Sequence, residues 1–529
     1  MAAILNSTGD RAEPRAPTLA ERRAIDLALL AALALAAYQY VTLFPFVIDD
    51  AYIVLRYARN LVDTGELVYN AGERVSALTS PLHALIATLL YALTGESALL
   101  AYKWLCCACV GLGTWSIARA HRDYPGALAM AAVLLLASPS VALWTFGGLE
   151  TPLLFAVVAA FAVLVQSRLR AEATLDRRTR IALHLLAATG FLLRHDSACF
   201  FAPALLVCWR HRSDWASVAV AVALAAVPCV AWFAFAFDYY GDLFPTSFYV
   251  KTPRYQPRDL LYNGLYEMLW LMLLGFAPGA MLALARRRMA RDWHVERSEW
   301  ILLAGLVGIF TYGLGMAQKH MMFGFRHGMP YLPAAASVLF IELRRWGPKP
   351  AYLSAALVAL VGVHVLNTQR ILDVSVNGYW RGSDFSEASA RTLTRMVDVW
   401  KGTAQDIAAH WSTRADGRPL RVFTYAGGVV PYYLPQAYVY EELISSRRER
   451  CARPQDIEQS ADYIHTVLTP QTAVSRYYGA IASNPRLQLI SDRSIEVGAE
   501  QRRVQAYFNS TPVPLALPAR LNEPCVGTP

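Results

Sequence analysis

The chain has 529 residues, of which 55% are hydrophobic and 17% charged, with a formal net charge of +9. Apolar residues gathered into repeated runs of membrane-spanning length exclude a soluble or disordered protein over the first two-thirds. The positive charge follows from where Arg and Lys flank those runs, so no nucleic-acid partner is needed to explain it.

Residues 1–24 read as a cytoplasmic tail. The apolar run that follows is too long for the core of a signal peptide and ends in Phe44-Pro-Phe-Val-Ile-Asp rather than a cleavage site, so it reads as a first anchor. Spans are predicted at about 26–46, 97–117, 125–145, 150–167, 181–193, 197–210, 216–237, 260–284, 299–316, 328–345 and 350–366, about eleven in all. The fifth and sixth are short and form one hairpin through Arg194, His195 and Asp196. The apolar stretch from Pro81 to Leu93 is also short and is predicted to dip into the membrane and return.

Arg11, Arg15, Arg22 and Arg23 place the N-terminus in the cytoplasm. With the Pro81 stretch re-entrant, Arg119, Arg122, the basic stretch 168–180, Arg210, Arg212, the run 286–291, Arg344 and Arg345 all fall inside as well. The same parity sends 49–80, 147–152, 194–197, 237–258, 318–328 and everything after about 367 to the outer face. Acids, histidines and aromatic turns collect there.

The predicted fold is therefore mainly α: a multi-pass helical membrane bundle over residues 25–369, with its first outer loop at 47–80, and an extracytoplasmic α/β domain over 370–529. A helix is predicted at 386–411 and strands at 420–425, 438–441, 463–468, 487–490 and 503–508. Six cysteines, Cys106, Cys107, Cys109, Cys199, Cys208 and Cys229, lie in spans and read as packing residues. Cys451 and Cys525 lie in the exported domain, where a disulfide is compatible with the compartment. No nucleotide-binding glycine loop or internal repeat is present. ATP-driven transport and nucleotide-sugar chemistry are accordingly disfavoured.

Asp49 and Asp50 stand where the first span ends. A pair of acids at a membrane boundary is costly unless used, although one of them also suits the N-terminus of the surface helix that follows. That helix puts Asp50, Val54, Tyr57 and Leu61 on one face. Glu150, in Gly147-Gly-Leu-Glu-Thr-Pro, reads equally as a site acid or as a helix-start acid. Arg194-His195-Asp196 needs partners at membrane depth, either a ligand phosphate or an internal Arg-Asp pair. Asp242 and Lys251 flank an aromatic outer loop. Lys319, His320, Arg326 and His327, just before Tyr331, form an outer cationic cluster that runs against the usual charge bias and calls for an anion. At a surface without ATP, a lipid phosphate answers that call: a phosphate leaving group wants cations and an acceptor hydroxyl wants a carboxylate base.

The stretch Asp49-Asp-Ala-Tyr-Ile-x-x-Arg-Tyr-x-Arg-Asn-Leu, with Gly65-Glu-Leu-Val-Tyr-Asn, Gly72-Glu-Arg-Val and Thr79-Ser-Pro-Leu, resembles the first outer loop of GT-C membrane glycosyltransferases. It is most similar to the branch of terminal and pilin arabinofuranosyltransferases. Gly148-Leu-Glu-Thr-Pro-Leu, Leu193-Arg-His-Asp, Gly241-Asp-Leu-Phe-Pro-Thr-Ser-Phe-Tyr-Val-Lys and Phe325-Arg-His-x-x-Pro-Tyr-Leu-Pro follow in the same order, covering most of 25–370. The resemblance implies a polyprenyl-phosphate sugar donor, arabinofuranose or a related pentofuranose, and a glycan or glycoprotein acceptor. It places the reaction on the periplasmic side of a bacterial inner membrane.

Carried over by motif, Asp49 or Asp50 is the base. Arg194, Lys251 and Arg326 are phosphate candidates, and Glu150, Asp242, His195 and His327 line the cavity. Asp196, His320 and Tyr331 complete the candidate substrate-binding set. No cofactor is required by this reading, and a divalent cation is compatible with it. The chain departs from the branch at Arg194-His-Asp-Ser, where Arg-Pro-Glu-Gly is usual. It departs again at Tyr425 in Thr424-Tyr-Ala-Gly-Gly and at Glu441-Glu442. A lipid-linked sugar flippase and an envelope-assembly scaffold are the competing classes. A flippase calls for two similar halves with broken helices, which the sequence does not show.

Overall fold

The computed structural model describes residues 17–171, 175–209, 215–251, 296–316, 323–346, 350–374, 388–413, 420–424, 426–441, 460–468, 484–497, 500–510 and 512. In chain order the helices are α1 (Leu19–Leu43), α2 (Asp49–Thr64), α3 (Pro81–Thr94), α4 (Ala98–Ala120), α5 (Ala127–Ala131), α6 (Pro139–Phe146), α7 (Thr151–Ala171) and α8 (Arg177–Leu193). There follow α9 (Ala198–Trp209), α10 (Trp215–Tyr240), α11 (Thr246–Lys251), α12 (Arg297–Met316), α13 (Leu332–Trp346), α14 (Pro350–Asp373), α15 (Ala390–Ser412) and α16 (Val429–Tyr432). Helices overlie ten of the eleven predicted spans; the remaining one, 260–284, lies outside the described residues.

Among the described residues, five helical stretches are long and apolar enough to cross a membrane: Leu19–Leu43, Pro81–Ala120, Thr151–Leu169, Trp215–Tyr240 and Ala351–Asp373. A bent pair, Ala127–Leu136 with Pro139–Phe146, turns through 57° and makes a sixth. The bend has a local cause. Pro139 brings no N–H, and the turn before it, Ala132–Leu136, is wound as a π-helix. The buried Gln39 amide of α1 reaches into the break, donating to the Ala137 carbonyl at 2.9 Å and to Thr368 of α14 at 2.8 Å.

Pro81–Ala120 is two helices folded at Gly95, where φ is +57°. His83 of α3 and Tyr102 of α4 have ring centroids 4.8 Å apart, whereas a straight helix would separate residues at that spacing by about 28 Å. Both ends of α3 lie at one end of the bundle, called here the mouth. His83 sits beside Glu150, and Glu96, just past the helix, pairs with Arg59 of α2 at 2.6 Å. The sequence predicts a segment that dips and returns; in the structure both of its ends lie at the mouth, and α2 packs on it.

The mouth gathers the segments that charge parity had grouped. Lys103 donates to the Phe44 carbonyl at 2.6 Å, Ile48 N–H to Gly147, Tyr240 to Leu67, and Thr246 N–H to Ser76. Beyond it, α15 packs on a five-stranded sheet of β1 (Arg421–Thr424), β2 (Tyr438–Tyr440), β3 (Tyr463–Leu468), β4 (Leu487–Val497) and β5 (Glu500–Asn509), in the order β2-β1-β3-β5-β4. β1 runs parallel to β2 and β3, and β5 runs antiparallel to β3 and β4.

β4 and β5 are longer than the predicted 487–490 and 503–508. Of the extra residues, 495–497 and 500–502 pair with each other as a two-stranded ribbon beyond the end of β3. One apolar cluster runs from the bundle through Tyr52 and Leu55 into Val429, Val430, Leu434 and Val439. The far face of the sheet has a separate small core around Phe423, Tyr440, Ala461 and Ile464.

Candidate active site at the mouth of the bundle

The turn between α6 and α7 is pinned beneath the start of α2. Gly148 has φ +79°, and a Cβ there would come within 2.6 Å of the Ala51 Cβ, so both conformation and space require glycine. Tyr102 holds the next carbonyl, Leu149, at 3.0 Å. The result is a buried Glu150 aimed at two cations. Arg194 and Arg326 each approach its Oε1 at 3.0 Å, and His83 Nδ1 lies 4.0 Å from Oε2.

Arg194 is shared. It makes a two-pronged contact with Asp196, at 3.0 and 2.6 Å, and donates to His327 Nδ1 at 2.7 Å. The same His327 Nδ1 also lies 3.4 Å from Asp196 Oδ2, so the ring nitrogen sits between the guanidinium and the carboxylate. Arg326 lies 5.4 Å over the Trp144 ring, whose Nε1–H donates to the Gly324 carbonyl at 3.0 Å.

Burial works to raise the Glu150 carboxyl, but Arg326 and Arg194 overcome it and hold the group at about 2. Burial and Arg194 push the His327 imidazole below its ordinary value. Among the described residues two carboxylates therefore face two guanidinia, and both arginines are already engaged. Of the two readings of Arg194-His195-Asp196, the internal Arg-Asp pair forms, and the same Arg also reaches Glu150.

The other candidate residues are distributed around this cluster. Tyr331 is buried with its ring 5.1 Å from that of Phe200, and its hydroxyl has no hydrogen bond among the described residues. His195 turns into an aromatic group, 4.9 Å from Phe191 and 5.6 Å from Phe233 by ring centroids. Asp242 lies in the turn between α10 and α11, and Lys251 ends α11. Lys319 and His320 lie outside the described residues, as do Tyr425, Glu442, Cys451 and Cys525. Among the described residues no group of three or more His, Cys, Asp or Glu is placed to hold a metal ion.

The twin acids have different surroundings. Asp49 accepts from the Gly428 and Val429 amides of the C-terminal domain at 2.9 and 2.7 Å. Burial pushes its carboxyl up to about 7 against those two hydrogen bonds, with the neighbouring Asp50 charge adding to the rise. Asp50 is half-buried and has no hydrogen bond or ion pair among the described residues.

The structure of ArnT from Cupriavidus metallidurans bound to undecaprenyl phosphate is similar over 91% of this chain and 97% of its own, with TM-score 0.58 and 16% identity. The apo state of that protein matches with the same values. The chain has the fold of ArnT. The archaeal oligosaccharyltransferase AglB from Archaeoglobus fulgidus, in complex with an inhibitory peptide and a dolichol-phosphate, overlaps 86% of this chain and 71% of its own at TM-score 0.46 and 10% identity, too distant to inform the site. No protein-family model and no curated protein sequence matches the chain.

Within this ArnT-like fold the sequence had pointed to Glu150, Arg194, Asp196, Arg326 and His327, and the structure brings those five together. It had missed His83, Trp144 and the Arg56 side of α2. His83 carried a readable signal, as a polar residue in the apolar run from Pro81. Trp144 carried none, because an aromatic in an apolar helix is ordinary packing.

Proposed function

We propose that the protein is a GT-C glycosyltransferase that moves a sugar, arabinofuranose or a related pentofuranose, from a polyprenyl phosphate to an acceptor hydroxyl on the periplasmic face of a bacterial inner membrane. The observation that carries this reading is the pairing, at one mouth, of an uncommitted carboxylate, Asp50, with a buried Arg194–Glu150–Arg326 cluster. The likeness to a fold that holds undecaprenyl phosphate in ArnT supports it.

In this mechanism Asp50 takes the proton of the acceptor hydroxyl as its oxygen attacks the anomeric carbon. The bond from that carbon to the phosphate oxygen breaks, and the charge left on polyprenyl phosphate is met by Arg326 and Arg194. Because Glu150 and Asp196 already engage the arginines, the incoming phosphate must take over some of their hydrogen bonds. Lys251 is the further cation assigned to it, with His320 and His327 lining the cavity. His195, Asp242 and Tyr331 shape the cavity walls.

The test is direct: purified protein in proteoliposomes with synthetic polyprenyl-phosphate arabinofuranose and an arabinan acceptor. Consumption of donor with appearance of polyprenyl phosphate and glycosylated acceptor is expected. Movement of intact donor across the bilayer without hydrolysis would instead establish a flippase and end the sugar-transfer reading.

A further inference from the structure

Asp49 lies on a face of α2 that also carries Tyr52, Arg56 and Arg59, at the three-and-four spacing that aligns side chains on a helix. That whole face meets one turn of the C-terminal domain, Gly427 to Ala437. Asp49 takes the two amides that open it. Arg56, 2% exposed, donates to the Tyr69 carbonyl at 2.7 Å and, within the turn, to the carbonyls of Pro431, Leu434 at 3.2 Å and Ala437 at 2.6 Å. Arg59 donates to Tyr432 at 2.6 Å and lies 4.0 Å over its ring. Tyr69 donates to Gly427.

These contacts permit a single register. A buried guanidinium whose hydrogen-bond partners are all carbonyls is tolerable only while its N–H groups are satisfied. A Cβ at Gly428 would stand 1.8 Å from the Asp49 backbone oxygen, so the two chains touch where no side chain fits. The seam is closed by apolar contact as well, Tyr52 against Tyr432 and Tyr433 at 5.4 and 6.0 Å between ring centroids.

We propose that Asp49 and Arg56 are positioning residues that seat the Gly427–Ala437 turn of the C-terminal domain on α2, making that domain a fixed wall of the acceptor site and leaving Asp50 alone to take the acceptor proton. The division of labour between the two acids rests on the sugar-transfer reading, whereas the seat itself does not. Asp49 acts on the reaction through the turn it holds, by keeping the acceptor's wall in place.

Hydrogen exchange of the full chain in lipid nanodiscs, without substrate, tests the seat. In Asp49→Ala and in Gly428→Ala the amides of 427–437 should exchange at least about tenfold faster, each change removing a buried hydrogen bond or the space for one. Asp50→Ala should leave their exchange unchanged. Gly428→Ala keeps the test decisive should Asp49→Ala fail to fold, since it alters neither acid. Steady-state transfer then separates the roles. Asp49→Ala should raise the acceptor KM about tenfold with kcat within about threefold, and Asp50→Ala should lower kcat with KM held. Arg56→Lys should show a smaller rise in KM than Arg56→Ala.

Unchanged exchange in both Asp49→Ala and Gly428→Ala overturns the seat. A lost kcat with exchange and KM intact in Asp49→Ala overturns its positioning role and makes it the base. Should no form of the protein transfer sugar, the functional reading fails while the exchange result still decides the seat.

Discussion

Replacing Glu150 by Gln tests the electrostatics of the mouth most severely. The carboxylate is 2% exposed and meets Arg194 and Arg326 at 3.0 Å each. Among the described residues Glu150 and Asp196 face the two arginines, so Glu150→Gln removes one of two buried negative charges from the cluster. Removing one partner of a buried ion pair costs about 3–5 kcal/mol. Because this one carboxylate serves both guanidinia, the upper part of that range is expected, which for a protein of this size lowers Tm by about 4–5 °C. Thermal unfolding of the purified protein in a mild detergent reads this directly. The double variant Glu150→Gln/Arg326→Gln restores the original net charge and should recover at least about half of the loss through their coupling. A Glu150→Gln protein melting within about 2 °C of wild type would show that the arginines are not balanced by this carboxylate, and the account of the site would fall.

Asp50→Asn should retain the fold and lower transfer by about 10²–10⁴, the usual contribution of a positioned general base; wild-type turnover in that variant removes the base assignment. Because the docked Asp49 carboxyl sits near 7 rather than 3.8, protonation favours the docked state, so its contribution to the seam is full below 3.8 and lost as pH rises through about 7. Exchange protection at Val429, corrected for intrinsic rate, should therefore decline across that window and be flat in Asp49→Ala. A flat wild-type profile would contradict the burial of that acid. Gln39→Leu strands the Ala137 carbonyl at the broken span and should cost about 1–2 kcal/mol of bundle stability. A change under about 0.3 kcal/mol by thermal unfolding would mean that Gln39 does not support the break.

Much of the architecture was legible because it is written in local patterns. Apolar runs mark α1, α4, α7, α10 and α14, and the alternating residues of 463–468 mark β3. Basic loops fixed parity, and parity alone grouped the turns holding Glu150, Arg194 and Arg326 at one end. What stayed hidden depends on contacts between distant residues. Nothing local distinguishes Asp49 from Asp50; only the Gly428 and Val429 amides do. The α3 segment is short and apolar enough to dip into a bilayer, and the Arg59–Glu96 pair that keeps it at the mouth joins two separate elements. The Ser491–Val497 half of β4 is mostly polar in sequence, so it gave no strand signal until paired with β5.

The seam between α2 and the C-terminal turn also sets a schedule for synthesis. Asp49 and Gly428 are 379 residues apart. At ribosomal rates of about 5–20 residues per second, α2 waits about 20–80 s for its partner to be made. Throughout that interval Arg56 has none of its three C-terminal carbonyls and Tyr52 lies bare. A chain cut short after its last membrane helix would display this unfilled face permanently, giving membrane proteases a surface by which to tell unfinished molecules from completed ones.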